Sequence, residues 1–275
     1  MRIDLHSHTK ASDGALTPQE LIIRAHNMQL DIFAITDHDT TAGLGLAHAQ
    51  NSGHAMRLIN GVEISCAWHA FDIHVVGLNV DIEQAEFQAQ LSEQREKRDI
   101  RAQEMGKRLA KAGIEGIYEA AKARAGEGSL TRAHFAQELV HRGHADNFQK
   151  VFDKFLSRGN TGYVPNQWMT IPEAITCIQA AGGVAVLAHP NHYQLSNKWL
   201  RKLVAEFASA GGNAVEIGLP QFPRDKQHWM ADLVNEHGLY ASLGSDFHQV
   251  SRWRELGRGY ALPEQSKSVM ELLAN

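Results

Sequence analysis

The chain has 275 residues, 27 Lys and Arg against 31 Asp and Glu, a formal net charge of -4 and 43% hydrophobic residues. This length suffices for one large domain, or one domain with an insertion, around a substantial core. The near-neutral charge disfavours a surface that coats nucleic acid generally, and it leaves room for one local basic groove. The 16 histidines are the unusual feature of the composition.

Signals for export, membrane insertion and disulfide bonding are missing. No basic N-terminal start is followed by a long apolar run, and nowhere do roughly 18 uncharged apolar residues follow one another. Cys66 and Cys177 are too few for a disulfide framework or a cysteine zinc site, so we expect two reduced thiols in a core. We expect a cytoplasmic protein that contacts no membrane.

The first 81 residues alternate strand-like and helix-like segments. A helix start is predicted after residue 16, because Thr17 can cap it, Pro18 suits the first helical position and Glu20 completes a capping box. Predicted strands lie at residues 2–8, 31–36, 58–64 and 72–78, and a further helix is predicted near residues 41–52. This succession predicts a parallel sheet of repeated βα units.

Charged helical repeats replace the strand-like runs between residues 82 and 163. The first of these helices is long and locally basic, and Thr131 can cap a later one. The βα pattern then returns, with a helix from Thr170 and strands at residues 183–190, 214–217 and 240–248. We expect an α/β barrel domain of about seven strands, formed by residues 1–81 and 164–275. Residues 82–163 would form an inserted helical subdomain that caps the substrate.

Histidines and acidic residues recur along the predicted strands and at their C-terminal ends. In a βα barrel those ends converge on one mouth, where active sites are built. His6 and His8 are two residues apart on an extended segment, so their imidazoles leave the same face. Asp246 and His248 repeat that spacing. The remaining candidates are His38, Glu63, His74 and His189.

Metal binding explains this convergence of donors. A carboxylate facing a barrel mouth without a cation would carry a large desolvation cost, and converging neutral imidazoles would leave lone pairs unmatched. All candidates are imidazoles or carboxylates, which suits manganese, iron or zinc and disfavours copper(I) or an iron–sulfur cluster.

The motifs resemble those of the polymerase and histidinol phosphatase (PHP) family. The matching segments, in order, are Asp4–His8, Thr36–His38, Gly61–Ser65, His74–Gly77, Ala188–Pro190 and Gly244–His248. The resemblance implies a distorted seven-stranded (β/α) barrel with up to three divalent ions, most often manganese, iron or zinc. It also implies hydrolysis of phosphate esters.

Carried over position by position, the resemblance implies three ion sites. The implied ligands are His6, His8, Glu63 and Asp246 for the first ion, Glu63, His74 and His189 for the second, and His38, His248 and Asp13 for the third. Asp13 stands where many relatives have a histidine, which leaves the identity of the third metal open. Asp37 should point away from its neighbour His38, so we expect it to orient an imidazole rather than bind metal.

Clustered ions about 3.5–4 Å apart lower the pKa of a bridging water and stabilise an in-line displacement at phosphorus. We therefore expect attack by a metal-bridging hydroxide on a phosphate ester. A metal-bound water, Asp13 or His192 could protonate the leaving group.

The insertion carries candidates for binding a second phosphate. Arg98 and Arg101 lie three residues apart on a predicted helix, hence near one face, and Arg132 and His134 begin another helix. Arginine pairs bidentately with phosphate oxygens, so these side chains could clamp a phosphate remote from the metals. The alternative for each arginine is a solvated helix face.

A subgroup resemblance narrows the substrate. The Ser12-Asp13-Gly14 turn and residues 98–102, 131–135 and 163–165 resemble the stand-alone bacterial PHP proteins that act as nucleoside 3',5'-bisphosphate phosphatases. Some relatives, of the RNase AM type, also trim short RNA from the 5' end. The resemblance thus implies a nucleotide substrate, with adenosine 3',5'-bisphosphate converted to AMP and short RNA as a second substrate. It implies no protein partner.

Competing functions stay open. A histidinol-phosphate phosphatase uses the same type of metal site, but it needs acidic groups for the substrate amine, and the basic insertion suits it poorly. A polymerase-linked editing exonuclease is disfavoured because the chain contains no polymerase. A non-catalytic PHP scaffold should have lost some ligands, whereas this sequence keeps the set.

Overall fold

A computed structural model describes residues 1–252 and 254–274. The strands are β1 (Ile3–Asp4), β2 (Ile32–Ile35), β3 (Arg57–Trp68), β4 (Phe71–Leu78), β5 (Met169–Thr170), β6 (Val184–Leu187), β7 (Ala214–Gly218) and β8 (Tyr240–Leu243). The helices are α1 (Pro18–Asn27), α2 (Leu44–Asn51), α3 (Ala85–Lys111), α4 (Ile117–Ala125), α5 (Arg132–His141), α6 (Phe148–Val151), α7 (Ile171–Ala180), α8 (Asn197–Ser209) and α9 (Arg224–Glu236). The predicted α/β class is confirmed.

The predicted helix starts carry their capping interactions. Thr17 accepts a hydrogen bond from the backbone N–H of Glu20, whose carboxylate accepts one from Thr17, and Thr170 caps α7 in the same way. Thr131 caps α5, with the imidazole of His134 in the place of the usual acidic partner. Each such cap stabilises a helix by about 1 kcal/mol.

The strands follow one path, β1-β2-β3-β4-β6-β7-β8, and the short β5 pairs with β3 beside it. β4 is antiparallel to both β3 and β6, and the other neighbours on the path are parallel. The prediction of a parallel sheet is therefore wrong at β4. The reason is the connection, since His69 and Ala70 join β3 to β4 in a tight hairpin with a positive φ of 52° at His69.

Hydrogen bonds join the segment after β1 to the end of β8 and to the segment that follows it, which closes the sheet. The N–H of Leu5 donates to the carbonyl of Leu243 at 3.2 Å, and the N–H of His8 donates to that of Phe247 at 2.8 Å. These bonds bring the segment after β1 against the segment after β8. The seven strands of the path thus form the expected barrel.

Asp4 stabilises this closure from inside the molecule. Its fully buried carboxylate accepts hydrogen bonds from the N–H groups of Ser245, at 2.8 Å, and Gly257, at 3.0 Å. Burial raises the pKa of Asp4 although these hydrogen bonds oppose the change.

The helical segment between β4 and β5 has a hydrophobic core of its own. Leu109 of α3 belongs to that core, together with Phe135 and Leu139 of α5. Phe87 and Leu91, nearer the start of α3, pack in the core of the barrel. Packing therefore changes partner within α3. The boundaries at residues 82 and 163 stay a prediction.

Cys66 and Cys177 are buried free thiols, in agreement with the sequence. In the part of the chain that the structure describes, no helix combines the length and apolarity needed to cross a bilayer. The cytoplasmic location stays a prediction.

Candidate metal centre

The strand ends bring the predicted donors together at one mouth of the barrel. His6 and His8 follow β1, where a bridge at Ser7 holds them against the segment after β8. His38 follows β2 and forms a parallel bridge with Glu63 of β3. Main-chain pairing thus positions donors that are far apart in the sequence.

Some donors reach the mouth in ways that the sequence pattern does not predict. Because β4 runs opposite to its neighbours, His74 comes from the N-terminal half of its strand, paired with Ser65. His189 and Asp246 have positive φ values of 27° and 51°, a region that costs non-glycine residues free energy and is common at functional sites.

The first donor group contains His6, His8, Glu63 and Asp246. The Nε2 atoms of His6 and His8 lie 3.2 Å apart. They lie 3.4 and 3.3 Å from the two oxygens of Glu63, and 3.6 and 3.5 Å from Oδ1 of Asp246. His6, His8 and Asp246 therefore face one point, and Glu63 lies beside them, close enough to share an ion with His6 and His189.

The second donor group shares Glu63 with the first. Oε1 of Glu63 lies 2.9 Å from Nδ1 of His74 and 2.8 Å from Nε2 of His189. The hydroxyl of Tyr193 accepts a hydrogen bond of 2.9 Å from the backbone N–H of His74. One carboxylate thus reaches two neighbouring donor groups.

The third donor group is formed around Asp13. Its Oδ1 lies 3.4 Å from Nε2 of His248, and its Oδ2 lies 3.7 Å from Nε2 of His38. Nδ1 of His8 is 3.9 Å from Oδ1 of Asp13. The aspartate of the first loop therefore sits where the third ligand set was expected.

These donors fit divalent cations. Two ligands that share an ion with bonds of about 2.1 Å lie about 3.0–3.4 Å apart. The separations within the first two groups, from 2.8 to 3.6 Å, lie in or close to that range. Oε2 of Glu63 and Nδ1 of His38 lie 3.0 Å apart without forming a hydrogen bond, and among the described residues neither of these buried atoms has a hydrogen-bond partner. A bound cation would give a partner to imidazole nitrogens that face each other and to buried polar atoms that lack a hydrogen bond.

The charges of the cluster are strongly coupled. Burial alone would raise the pKa of Glu63 and of Asp246, but the surrounding imidazoles hold both well below their ordinary values. Burial and the neighbouring His248 lower the pKa of His8 to about 3. Asp13 and Asp246 overcome the effect of burial and raise the pKa of His248 to about 9. Without metal, His248 therefore carries an extra proton at neutral pH, whereas His8 does not. Metal ions would compete with such protons for the donors.

Glu216 was not identified from the sequence. Both of its oxygens lie 3.1 Å from Nδ1 of His6, and one accepts a 2.8 Å hydrogen bond from the backbone N–H of His189. It therefore orients one imidazole and the backbone of another donor. The available signal was an isolated carboxylate in the apolar strand 214–217.

Asp37 contacts a loop rather than an imidazole. Its carboxylate accepts hydrogen bonds from the N–H and hydroxyl of Thr9, both at 2.7 Å, and from the hydroxyl of Ser12 at 2.6 Å. Among the described residues it has no direct hydrogen bond to a ring. Asp37 thus shapes the loop that carries Asp13, and the hydroxyl of Ser12 in that loop lies 3.4 Å from Nδ1 of His8. That Asp37 orients an imidazole stays a prediction.

Beside the donors lies a cavity of about 160 Å³, the arginine cavity, which contains Arg98, Arg101 and Arg132. Asp13, His38 and His74 line the same cavity, so it opens onto the second and third donor groups. The guanidinium carbons of Arg98 and Arg101 lie 5.0 and 5.3 Å from the ring of Trp168. The predicted arginines are therefore brought together at the donor cluster.

Acidic partners hold these arginines in place. Arg98 donates to Asp39 and to the hydroxyl of Ser65, both at 2.5 Å. Asp72 lies 3.0 Å from Arg132 and 3.7 Å from Arg101. Burial lowers the pKa of Arg101 to about 10, so it remains a cation at neutral pH.

His134 and His192 lie at the edges of the site. His134 accepts from the backbone of Thr131, and its pKa is lowered by burial. It lies outside the lining of the arginine cavity. His192 stacks on His189 at 5.2 Å, with its Nδ1 3.9 Å from Asp246. Burial and His189 lower the pKa of His192 to about 4.

Comparisons with known proteins identify the family of the chain. A family model described as PHP domain matches residues 4–217. The 5'-3' exoribonuclease Rnm of Escherichia coli K12 is 49% identical over 271 residues, covering 98% of this chain and 92% of the relative. A 3',5'-nucleoside bisphosphate phosphatase of Chromobacterium violaceum is 40% identical over 263 residues, covering 95% and 92%.

A solved structure of similar sequence has the same fold. It is described as an amidohydrolase from Chromobacterium violaceum with bound sulfate and no metal. It aligns with a TM-score of 0.93 at 38% identity, covering 100% of this chain and 96% of that chain. The names of both curated relatives denote hydrolases, which confirms the predicted enzyme class. By its match over most of its length, the chain belongs to the PHP domain family.

Proposed function

We propose that the chain is a metal-dependent phosphoesterase that removes the 3'-phosphate from nucleoside 3',5'-bisphosphates. Adenosine 3',5'-bisphosphate would yield AMP and phosphate. The observation that carries the proposal is the shared cavity wall, because donors of the cluster line the same cavity as Arg98, Arg101 and Arg132. One phosphate of the substrate can then reach the metal centre while the other pairs with guanidinium groups.

The proposed cofactor is Mn²⁺ at up to three sites, with Fe²⁺ and Zn²⁺ as alternatives. Such ions, when bound, supply a nucleophilic hydroxide at neutral pH and offset the charge of the phosphate. In the overall reaction the oxygen of water bonds to phosphorus, the bond from phosphorus to the 3' oxygen breaks, and that oxygen takes up a proton. Asp13 of the third donor group and His192, whose Nδ1 lies 3.9 Å from Asp246, stay the proposed proton donors, but the pKa of His192, about 4, leaves it neutral at pH 7 until substrate and metal bind.

The relatives support this substrate class. One is named a nucleoside bisphosphate phosphatase, and the other is named a 5'-3' exoribonuclease. The structural neighbour from Chromobacterium violaceum holds sulfate, which has the tetrahedral shape of phosphate. All three cover nearly the whole chain.

The test compares substrates that differ in one phosphate. With added Mn²⁺, we expect kcat/KM for adenosine 3',5'-bisphosphate to exceed that for adenosine 3'-monophosphate about ten- to hundredfold, as charge-assisted hydrogen bonds to the 5'-phosphate imply. A chelated sample is the control for metal dependence. Equal values for the two nucleotides, or for p-nitrophenyl phosphate, would overturn the proposal.

Trimming of short 5'-phosphorylated RNA is a second proposed activity. It breaks the same bond, between phosphorus and the 3' oxygen of the first nucleotide, and releases a nucleoside 5'-monophosphate. The relative at 49% identity that is named a 5'-3' exoribonuclease favours it. A 5'-phosphorylated trinucleotide should be degraded faster than its 5'-hydroxyl counterpart, and equal rates would contradict the role of the arginines.

The rival functions fit the site less well. The cationic side chains in the arginine cavity would repel the amine of a histidinol phosphate, and Asp72 is already paired with Arg132 and Arg101. A metal-binding scaffold needs no such cavity. Metal content measured together with a phosphate-release screen separates an enzyme from a scaffold, because a scaffold would bind metal and release no phosphate.

A further inference from the structure

A second cavity, which we call the Phe148 cavity, adjoins the donor cluster. Its volume is about 350 Å³, within the ~300–1,000 Å³ that small-molecule sites occupy. It meets the cluster at Asp13 and His248, whereas the arginine cavity meets it at His38 and His74. The two cavities share Asp13 and Ala133. A substrate bound in the arginine cavity can therefore continue past the donors into the Phe148 cavity.

The walls of the Phe148 cavity suit a nucleobase. Phe148 begins α6 and is 41% exposed, an unusual position for a phenylalanine. Gln137 and Gln249 also line the cavity, and their side-chain amides make no hydrogen bond with other described residues. Arg254 adds a cation at the same wall, where its guanidinium pairs with Oδ2 of Asp246 at 3.0 Å. Aromatic rings, free amides and a cation are the groups that bind unpaired nucleotides.

The proposed reaction leaves a role for such a cavity. A terminal 3'-phosphate and an internal RNA phosphodiester differ by one nucleoside, which is joined through its 5' oxygen to the phosphate. The 5'-phosphate and the scissile phosphate would occupy the arginine cavity and the donor cluster in both substrates. Only RNA has a further nucleoside that needs a binding site. Because this nucleoside is attached to the scissile phosphate, its binding site must adjoin the donor cluster.

We propose that the Phe148 cavity binds the nucleoside on the 3' side of the scissile phosphate, with its base on the ring of Phe148. The inference rests on the proposed function. Water oxygen bonds to phosphorus, the bond to the 3' oxygen of the first nucleotide breaks, and that oxygen takes up a proton. The phosphate stays on the 5' oxygen of the nucleoside in the Phe148 cavity. The shortened RNA thus carries the 5'-phosphate that the arginine cavity requires for the next cycle.

Another cavity competes for this role. It has a volume of about 590 Å³, is lined by Lys10 and Leu46, and also includes Asp13. No aromatic ring other than the imidazole of His134 is among its described lining residues. The base-stacking argument therefore favours the Phe148 cavity, and Lys10→Ala tests the alternative.

The experiment compares adenosine 3',5'-bisphosphate with 5'-phosphorylated ApA. We expect Phe148→Ala to raise KM for the dinucleotide about tenfold and to leave kcat/KM for the bisphosphate within about twofold, as the loss of one base stack predicts. Phe148→Tyr keeps an aromatic ring and should restore the dinucleotide KM. Trp199→Ala, on another exposed aromatic residue, is the matched control.

Gln249→Ala provides a second variant that does not alter a helix. Calorimetric binding of 5'-phosphorylated ApA to metal-free protein gives a readout independent of turnover, and both variants should weaken it. Equal effects on the two substrates, no effect on the dinucleotide, or a selective effect of Lys10→Ala would overturn the proposal. Failure of the wild type to hydrolyse the bisphosphate would instead refute the proposed function.

Discussion

The side chain of Glu63 joins the donor groups into one cluster. Its Oε1 contacts imidazoles of the second group, while Oε2 lies near His8 of the first group and 3.0 Å from Nδ1 of His38. A carboxylate shared in this way keeps neighbouring cations close, as a displacement at phosphorus requires. Replacement of Glu63 should therefore affect more than one ion.

Glu216 is expected to act through His6. Glu216→Gln keeps the size of the side chain but removes the charge that holds Nδ1 of His6 in its donating form. Loss of such a partner lowers metal affinity or activity by about 10–100-fold. Manganese titration by calorimetry, together with kcat for adenosine 3',5'-bisphosphate, measures the effect.

The matched control is Glu236→Gln, which removes an exposed carboxylate paired with Arg201 on the surface. It should change neither quantity. Unaltered manganese affinity in Glu216→Gln would contradict the positioning role.

Arg101 is expected to bind substrate without taking part in bond breaking. Arg101→Lys keeps the positive charge and loses the planar fork that matches phosphate, so KM for the bisphosphate should rise about tenfold with little change in kcat. Steady-state kinetics separate the two constants. Lys107→Arg, an exposed change on the same helix, should alter neither, and an equal fall of kcat in Arg101→Lys would argue for a role in the transition state.

Residue spacing predicted most of the donor cluster, and the reason is geometric. Donors two residues apart on extended backbone, such as His6 and His8, must share a face. Asp37 shows the limit of this argument, since its direction could be inferred from His38 but its partners, Thr9 and Ser12, depend on how a loop folds. Glu216 was missed because its partner lies on a distant strand.

At the scale of elements, the turn after β8 has no room for a side chain. A Cβ on Gly244 would lie 2.5 Å from Cβ of His6 and 2.8 Å from Oε1 of Glu216. Gly244→Ala should therefore push β1 and β7 apart at the donors, with loss of manganese binding and a lower melting temperature. Gly45→Ala in α2 is the control, because a Cβ there meets nothing within 4 Å.

Gly45→Ala should be neutral or stabilising by about 0.5–1 kcal/mol, as alanine is favoured over glycine in helices. Thermal melts and manganese titrations on both variants give the comparison. Normal manganese affinity in Gly244→Ala would show that the donors tolerate displacement of the strand end.

The direction of β4 could have been inferred from chain length. Only residues 65–71 separate the predicted strands 58–64 and 72–78, and a parallel crossover needs about a dozen residues or more. The hairpin was therefore the better prediction. The helix starts at Thr17, Thr131 and Thr170 were predictable because capping depends on a few adjacent residues.

At the scale of the whole molecule, bound ions should stabilise the fold. A ligand that binds only the native state, at a hundred times its dissociation constant, adds about 2.7 kcal/mol. For a chain of this size that corresponds to a rise in Tm of about 5–10 °C. Differential scanning fluorimetry with Mn²⁺ and with a chelator measures it, and His6→Ala should remove most of the rise.

The helical character of residues 82–163 could be predicted from the sequence, but the way these helices pack against the barrel could not. Periodicity identifies α3 as one helix, and only the packing shows that Phe87 belongs to the barrel and Leu109 to the helical core. The apolar periodicity of a helix shows which of its residues are buried, but it does not show which neighbouring element covers them.

The closure of the barrel has a consequence for the order in which the protein matures. Asp246 and His248 are synthesised more than 230 residues after His6 and His8, and synthesis proceeds at about 5–20 residues per second. A nascent chain can form the first βα units but holds an incomplete ligand set. Phosphoesterase activity would therefore begin only after the segment that follows β8 has been translated and has paired with the segment that follows β1.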